Sequence, residues 1–261
     1  MLHGAWHYRY YIVSAISAEF RNRFARSRLG GIWMLLHPLA QVAIFALVLS
    51  AVLAARLPEI DNRFAYAIYL SAGFLAWTLF TDLVNGGLNL FVSQGHLLKK
   101  IAFPRICLPL VALGTALVNH FSLLLAIVVL FTLLGHPPSL LLFWLPVAML
   151  VVAALGLGVG LVLGILNVFL RDIGQIVPIA LQFGFWLTPI VYMADMLPDR
   201  LQPYLALNPM QPLVAAYQDI LAFQRFPDWL PMIGGVLMAG LSLVLAWVLF
   251  RRADAEMVDL L

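Results

Sequence analysis

The 261-residue sequence predicts an all-α integral membrane protein: six transmembrane helices, an N-terminal amphipathic interface helix and short outer re-entrant helices. Three observations predict it. Hydrophobic residues make up 64% of the chain and charged residues only 10%, against roughly 25% charged in a soluble domain. The mean hydropathy is +0.99. Uncharged apolar runs recur along the chain, most of them long enough for the ~20 residues that cross a bilayer. A soluble globular enzyme is thereby excluded. Six spans of ~22 residues leave only termini and loops, too little for a soluble catalytic or nucleotide-binding domain.

The chain reads as one transmembrane domain over 1–261. Residues 1–31 hold five arginines and no apolar core, so no secretory signal is expected there. Within them Ile12, Ile16, Phe20 and Phe24 recur every four residues, with Arg21, Arg23, Arg26 and Arg28 around them. That pattern predicts a helix lying in the cytoplasmic interface, apolar face in lipid and arginines toward phosphate headgroups. Spans follow at about 32–54, 66–90, 106–134, 141–167, 176–193 and 231–250. They are read as helices because a backbone in lipid must satisfy its own hydrogen bonds. The fifth is short and carries Pro178 and Pro189, which predict a kink, a tilt or an interruption. The outer segment 194–230 contains the apolar stretch Leu213–Phe223, too short to span and suited to a re-entrant or interfacial helix.

Orientation follows from charge. Eleven of the fifteen Lys and Arg residues flank the ends of the spans on one side; Arg56, Arg63, Arg200 and Arg225 lie on the other. The positive-inside bias therefore puts both termini in the cytoplasm. The net charge of +3 is spent on topology and implies no nucleic acid. Cys107 is the only cysteine, so an internal disulfide is excluded.

Several chemistries are missing from the sequence. It has no G-x-x-x-x-G-K-[ST] phosphate loop, no H-E-x-x-H and no G-x-S-x-G elbow, and its six histidines lack metal-ligand spacing. Gly156, Gly160 and Gly164 repeat every four residues inside span 4, a small-residue face for close helix packing and not a dinucleotide loop. Thr78, Asp82, Asn85 and Asn89 share one face of span 2. This stripe either lines a hydrophilic pathway or locks the bundle through interhelical hydrogen bonds. Thr115, Asn119 and Ser122 form a weaker stripe in span 3 with His120 beside it, and a packed histidine is the expectation there. An intramembrane enzyme would need an acid–base pair at one depth. Asp82 and His120 are the only conceivable pair, and their positions put them at different depths. A passive channel lacks its charged ring or filter-like loop.

Five segments, in order along almost the whole chain, resemble the membrane subunit of bacterial ATP-binding-cassette polysaccharide exporters, the group serving O-antigen, teichoic acid and some capsules. They are FRNRFARSRLGGIWMLLHP (Phe20–Pro38), KKIAFPR (Lys99–Arg105), NVFLRDIGQI (Asn167–Ile176), FWLTPIVY (Phe185–Tyr192) and LNPMQPLVAAYQDIL (Leu207–Leu221). Thr188, His37 and Gln218 depart mildly from the family pattern. The resemblance implies a permease of the inner membrane, with no catalytic residue and no metal of its own. It implies a homodimer in which each subunit docks a separate ATPase subunit that binds ATP and Mg. The cargo it implies is a lipid-linked polysaccharide, most readily undecaprenyl-diphosphate-linked O-antigen. Teichoic acid, capsule, a drug or a lipid is the alternative cargo.

The resemblance also implies roles for residues. The N-terminal helix and the short helix Gly95, His96, Leu97, Leu98, Lys99 and Lys100 would contact the ATPase and relay its closure. Gating is expected around Asn167, Arg171 and Asp172; read as one helix, Arg171 shares a face with Asn167 and Gln175. The basic rim of Arg21, Arg23, Arg26, Arg28, Lys99, Lys100 and Arg105 is expected to attract the carrier's diphosphate. Sugar rings present apolar C–H faces, so Trp77, Phe80, Phe185, Trp186 and Tyr192 are the candidate channel aromatics. Most of the 32 aromatics must instead pack the core or sit in the interfacial belts.

Overall fold

The computed structural model describes residues 8–24, 29–33, 35–37, 39–40, 43–44, 64–95, 106–198, 200, 202–205 and 207–260. Most of the first predicted span, the basic stretch His96–Arg105, Arg26 and Arg28 lie outside them. Among the described residues there is no strand. Among the described residues, seven α-helices of eight residues or more carry the architecture, α1 Arg9–Phe24, α2 Ala65–Ser93, α3 Cys107–Leu133, α4 Leu145–Phe169, α5 Ile173–Leu187, α6 Gln211–Gln218 and α7 Met232–Leu260, with one further helical turn at Gln202–Leu205.

Among the described residues, four segments are long and apolar enough to cross a membrane: Ala65–Ser93, Cys107–Leu133, Leu140–Phe169 and Met232–Ala253. They match predicted spans 2, 3, 4 and 6. Helix α5 is apolar but only 15 residues long, or ~22 Å, less than the ~30 Å hydrocarbon core. It ends at Leu187, and the chain through Pro189 and Tyr192 is non-helical, so the predicted fifth span stops short of 193. Pro178 sits within the helix.

Local chemistry sets the boundaries. Ser139 accepts a hydrogen bond from Leu141 N (3.3 Å) and opens a 3-10 turn, Leu140–Trp144, that leads into α4. Pro146 in the first turn of α4 needs no intrahelical donor. Helix α3 closes with Gly135 at φ +79°. His136 N reaches Phe131 O (2.8 Å) and Gly135 N reaches Thr132 O (3.2 Å). These are the two bonds of a Schellman cap, whose left-handed residue favours glycine.

Helix α2 is the centre of the bundle. Of its most apolar stretch 78% is buried, against 28% in α3 and 17% in α7. Helix α4 packs along one side of α2 and carries α7 on its far face; α3 packs along another side of α2 and carries α1. The α2–α4 contact is made by glycines. A Cβ on Gly160 would come within 2.6 Å of Leu83 O, and one on Gly87 within 2.5 Å of the Gly160 carbonyl carbon. Gly156 faces Leu83 and Phe80 O, and Gly164 faces Gly87 O. Gly158 points the other way, against Leu243 N of α7 (2.9 Å from a built Cβ) and Ser242. The predicted glycine face is therefore a packing face.

Helix α6 runs on into a π-helical turn, Asp219–Phe223, closed by Gln224 at φ 51°. Leu213, Val214 and Ala216 through Ala222 are all buried, and the helix packs on α2. Tyr217 meets His120 midway along α3, with Tyr217 Oη and His120 Nε2 3.4 Å apart. The apolar stretch Leu213–Phe223 is therefore a short helix sunk into the bundle. Helix α1 differs from its expected setting. Its Ile16 abuts Gly114 of α3, so this part of its apolar face meets protein and not lipid.

The glycine crossing makes a direct prediction. Gly160→Ala forces two backbones apart and is expected to cost about 1–3 kcal/mol, seen as a lower unfolding temperature in detergent. Gly240→Ala in α7, where nothing lies within 4 Å of the new methyl, should leave that temperature unchanged or slightly raised.

Candidate functional site

Among the described residues, three regions bring polar side chains together. The first is a cleft of about 970 Å³ between α1, α2 and α3. The stripe on α2 forms one wall: Asp82 and Asn89 are exposed and Asn85 half-buried. Asn89 Nδ2 donates to Asn85 O one turn back (3.0 Å). Asn119 of α3 donates to Asp82 Oδ2 (3.2 Å), and Thr115, one turn away, donates to Glu19 Oε2 of α1 (3.1 Å). The stripe therefore does both things open to it: it lines a hydrophilic cleft and bonds across helices. Thr78 takes no part in the lining and donates to Leu75 O of its own helix (3.0 Å). Two carboxylates, Glu19 and Asp82, face the cleft, with no Lys or Arg among the described lining residues. Burial also pushes the Tyr11 phenol on the α1 wall above its ordinary value, keeping it neutral. Asp82 and His120 hold different partners, so they make no acid–base pair.

The second region is the turn between α4 and α5. Leu170 is extended (φ −131°, ψ 95°) and breaks the helix. Asn167 and Gln175 thus stand on different helices, and the shared face expected for Arg171 with them does not form. Asn167 is buried: its Nδ2 donates to Leu88 O of α2 (3.1 Å), and its Oδ1 accepts from Gly174 N of α5 (2.9 Å). One amide thus ties three helices and gives the first turn of α5 a second acceptor, since Gly174 N also reaches Arg171 O (3.2 Å). Arg171 and Asp172 are exposed at the turn itself. Gly95, the described member of the predicted coupling helix, is buried.

The third region lies at the opposite end of α2. Tyr66 Oη donates to Val191 O, and Tyr69 Oη is 3.3 Å from Pro189 O and 3.2 Å from Tyr192 O. Gln218 of α6 donates to Pro189 O (3.0 Å), and Asn208 donates to Thr188 Oγ1 (2.8 Å). The non-helical Thr188–Tyr192 stretch leaves carbonyls unpaired by helix, and these side chains satisfy them. Tyr192 itself is half-buried.

The candidate channel aromatics separate here. Trp77, Phe80 and Phe185 are buried and pack on one another, with centroids 5.6 Å apart for Trp77–Phe80 and 6.1 Å for Trp77–Phe185. Trp186 touches Phe185 but is 51% exposed. Of the basic rim, Arg21 is exposed on α1. Tyr66, Tyr69, Asn208 and Glu19 were not singled out from the sequence. Glu19 had a signal, being the lone carboxylate among the five arginines of residues 1–31. The tyrosines had one too, standing three residues apart on one face of α2.

Removing the Asn167 amide should show its tying role. Asn167→Leu removes both of its hydrogen bonds, leaving Gly174 N only its 3.2 Å bond to Arg171 O, and is expected to cost about 1–3 kcal/mol for the two, read as a lower unfolding temperature and faster proteolysis at the α4–α5 turn.

Comparison with known proteins bears on the whole bundle. An O-antigen export system permease protein RfbA of Myxococcus xanthus is 30% identical over 244 residues, covering 93% of this chain and 90% of the relative. Two proteins of the same name from Klebsiella pneumoniae are 25% and 24% identical over 210 and 213 residues, each covering 80% of this chain and 79% of the relative. Residues 10–222, from α1 to the π turn, match the ABC-2 type transporter family. With its apolar helices, this makes the chain a multi-pass membrane protein that belongs to the ABC-2 type transporter family.

Proposed function

We propose that this chain is the transmembrane subunit of an ATP-driven exporter that moves a lipid-linked O-antigen polysaccharide across the bacterial inner membrane. The observation that carries the reading is 30% identity over 93% of the chain to a protein named as an O-antigen export permease. The sequence offers no phosphate loop, so ATP and Mg are assigned to a separate ATP-binding subunit. The working assembly is two copies of this chain with two of that subunit, both termini of each chain in the cytoplasm. This chain carries no catalytic residue.

A polysaccharide is too polar to dissolve in hydrocarbon, so a path must open between proteins. ATPase closure acts on the Gly95–Lys100 segment and on α1. The basic rim of Arg21, Arg23, Arg26, Arg28, Lys99, Lys100 and Arg105 draws the carrier diphosphate to the cytoplasmic side. Rigid-body motion about the Asn167–Asp172 turn, where one buried amide ties α2 to α5, opens the path. Trp186, half-exposed on the apolar α5 face, is the aromatic best placed to meet sugar C–H faces. Trp77, Phe80 and Phe185 support it from within.

Purification from native membranes in mild detergent should bring down an ATPase subunit in equal amount; a chain that is always recovered alone would remove the energy source. In vesicles holding the complex, Lys99→Glu with Lys100→Glu should uncouple ATP hydrolysis from export by tenfold or more while assembly persists. Trp186→Ala should slow export of long polymers several-fold without loss of assembly.

A further inference from the structure

Helix α7 is the least buried of the four described spans, with only 17% of its apolar stretch covered. It turns Met232, Ala239 and Ala246 inward, one every seventh residue, and leaves Leu237, Leu241 and Val244 exposed on the opposite face. Each end of that face carries groups suited to a bilayer surface. At its start Trp144, Phe226 and Trp229 form one cluster, with ring centroids 5.2 to 6.1 Å apart. Helices α4 and α7 run side by side in the same direction: Gly158 meets Ser242, and further along Ile165 and Val168 share a buried cluster with Met257. The aromatic cluster therefore caps both helices at one level. At the other end Arg251 lies 4.5 Å over the Trp247 ring, and Arg251 and Arg252 are both exposed. Met232 and Arg251 are ~28 Å apart along the helix, close to the ~30 Å of a hydrocarbon core. A bilayer sets that spacing; a protein partner would not. Tryptophan favours the two headgroup layers, and guanidinium groups hold phosphate oxygens in pairs. The acidic residues of this end, Asp254, Glu256 and Asp259, come ~4–12 Å further along the helix, beyond the level of the arginines.

We propose that the exposed face of α7 is a docking surface for bilayer phospholipid, with a site for an anionic headgroup at its C-terminal end. Acyl chains lie along Leu237, Leu241 and Val244. Arg251 and Arg252 take the headgroup phosphate, and the Trp247 indole fills the layer beneath it. The Trp144 cluster occupies the opposite headgroup layer. Two adjacent guanidinium groups favour a lipid of net negative charge, such as phosphatidylglycerol, over a zwitterionic one. The assignment is independent of the cargo and of which leaflet faces the cytoplasm.

The test uses the full-length chain in lipid nanodiscs, with any co-purifying subunit retained. A p-benzoylphenylalanine replaces Leu241 or Glu256, and the discs hold phosphatidylglycerol with tritiated acyl chains. Photolabelling of the chain by lipid should be at least tenfold greater from position 241 than from position 256. A crosslink from 241 to a second copy, or to another segment of the same chain, in place of the lipid adduct would overturn the proposal. For the headgroup, the photoprobe replaces Val244 in discs holding phosphatidylglycerol and phosphatidylcholine in equal amounts, one of them tritiated at a time. Labelling should favour phosphatidylglycerol severalfold. Arg251→Gln with Arg252→Gln should bring the ratio close to one, and Arg251→Lys with Arg252→Lys, which keeps the charge, should retain most of the preference. A ratio of one without the arginine substitutions, or a ratio unchanged by the glutamine pair, would overturn the anionic site.

Discussion

The bundle depends on two helices touching backbone to backbone. Lipid gives little drive to bring one apolar helix against another, so association rests on dispersion contacts and interhelical hydrogen bonds, both of which need close approach. Glycine at 87 on α2 and at 156, 160 and 164 on α4 lets the two backbones meet, with Leu83 and Phe91 the α2 side chains packed against the glycines. The consequence is rotational as much as translational. Once Gly87 must face Gly160, the other faces of α2 have no freedom left. Its Asp82–Asn85–Asn89 stripe turns to α3 and α1, and Tyr66 and Tyr69 turn to the Thr188–Tyr192 chain. Gly158, half a turn round α4, repeats the device against Ser242 and brings in α7.

Helix α2 is fastened differently along its length. At one end two phenols hold carbonyls of an unwound segment. In the middle Asp82 holds Asn119. Toward the other end the Leu88 carbonyl accepts from Asn167 while still inside its helix. Three elements therefore read the position of one buried rod: the segment after α5, the N-terminal helix through α3, and the turn before α5. Helix α5 meets α2 and α4 at few points, so its two ends, held by Asn167 and by the tyrosines, fix it more than its face does.

Much of this was legible in the sequence, and the reason is periodicity. Apolar length predicts spans 2, 3, 4 and 6; glycine at every fourth residue predicts a packing face; the apolar run Leu213–Phe223, too short to cross, predicts a short re-entrant or interfacial helix, and its burial in the bundle is what the sequence does not show. Periodicity reports which residues share a face and is silent on what that face meets. Hence Ile12, Ile16 and Phe20 were read as lipid-facing, although Ile16 has a glycine notch at Gly114 to enter. Trp77, Phe80 and Phe185 were read as channel candidates, although rings from different helices satisfy one another in the core. Arg171 was placed on a face with Asn167 because no proline or glycine announces the break at Leu170. The break is made by the tertiary bonds of Asn167 to Leu88 and Gly174, which no local pattern records.

Helix α1 shows how a surface element is anchored by one face. Glu19 and Arg21 stand two residues apart, about 200° around the helix, so the carboxylate turns to α3 while the guanidinium stays outside. Thr115, which holds Glu19, is one turn from Asn119, which holds Asp82. Two hydrogen bonds on one face of α3 thus connect the N-terminal helix to the buried rod at the centre. Both are accepted by carboxylates, the stronger class of hydrogen bond. Helix α1 is thus held through a few side-chain contacts on α3, while α2, α4 and α7 are joined along their lengths by close backbone packing.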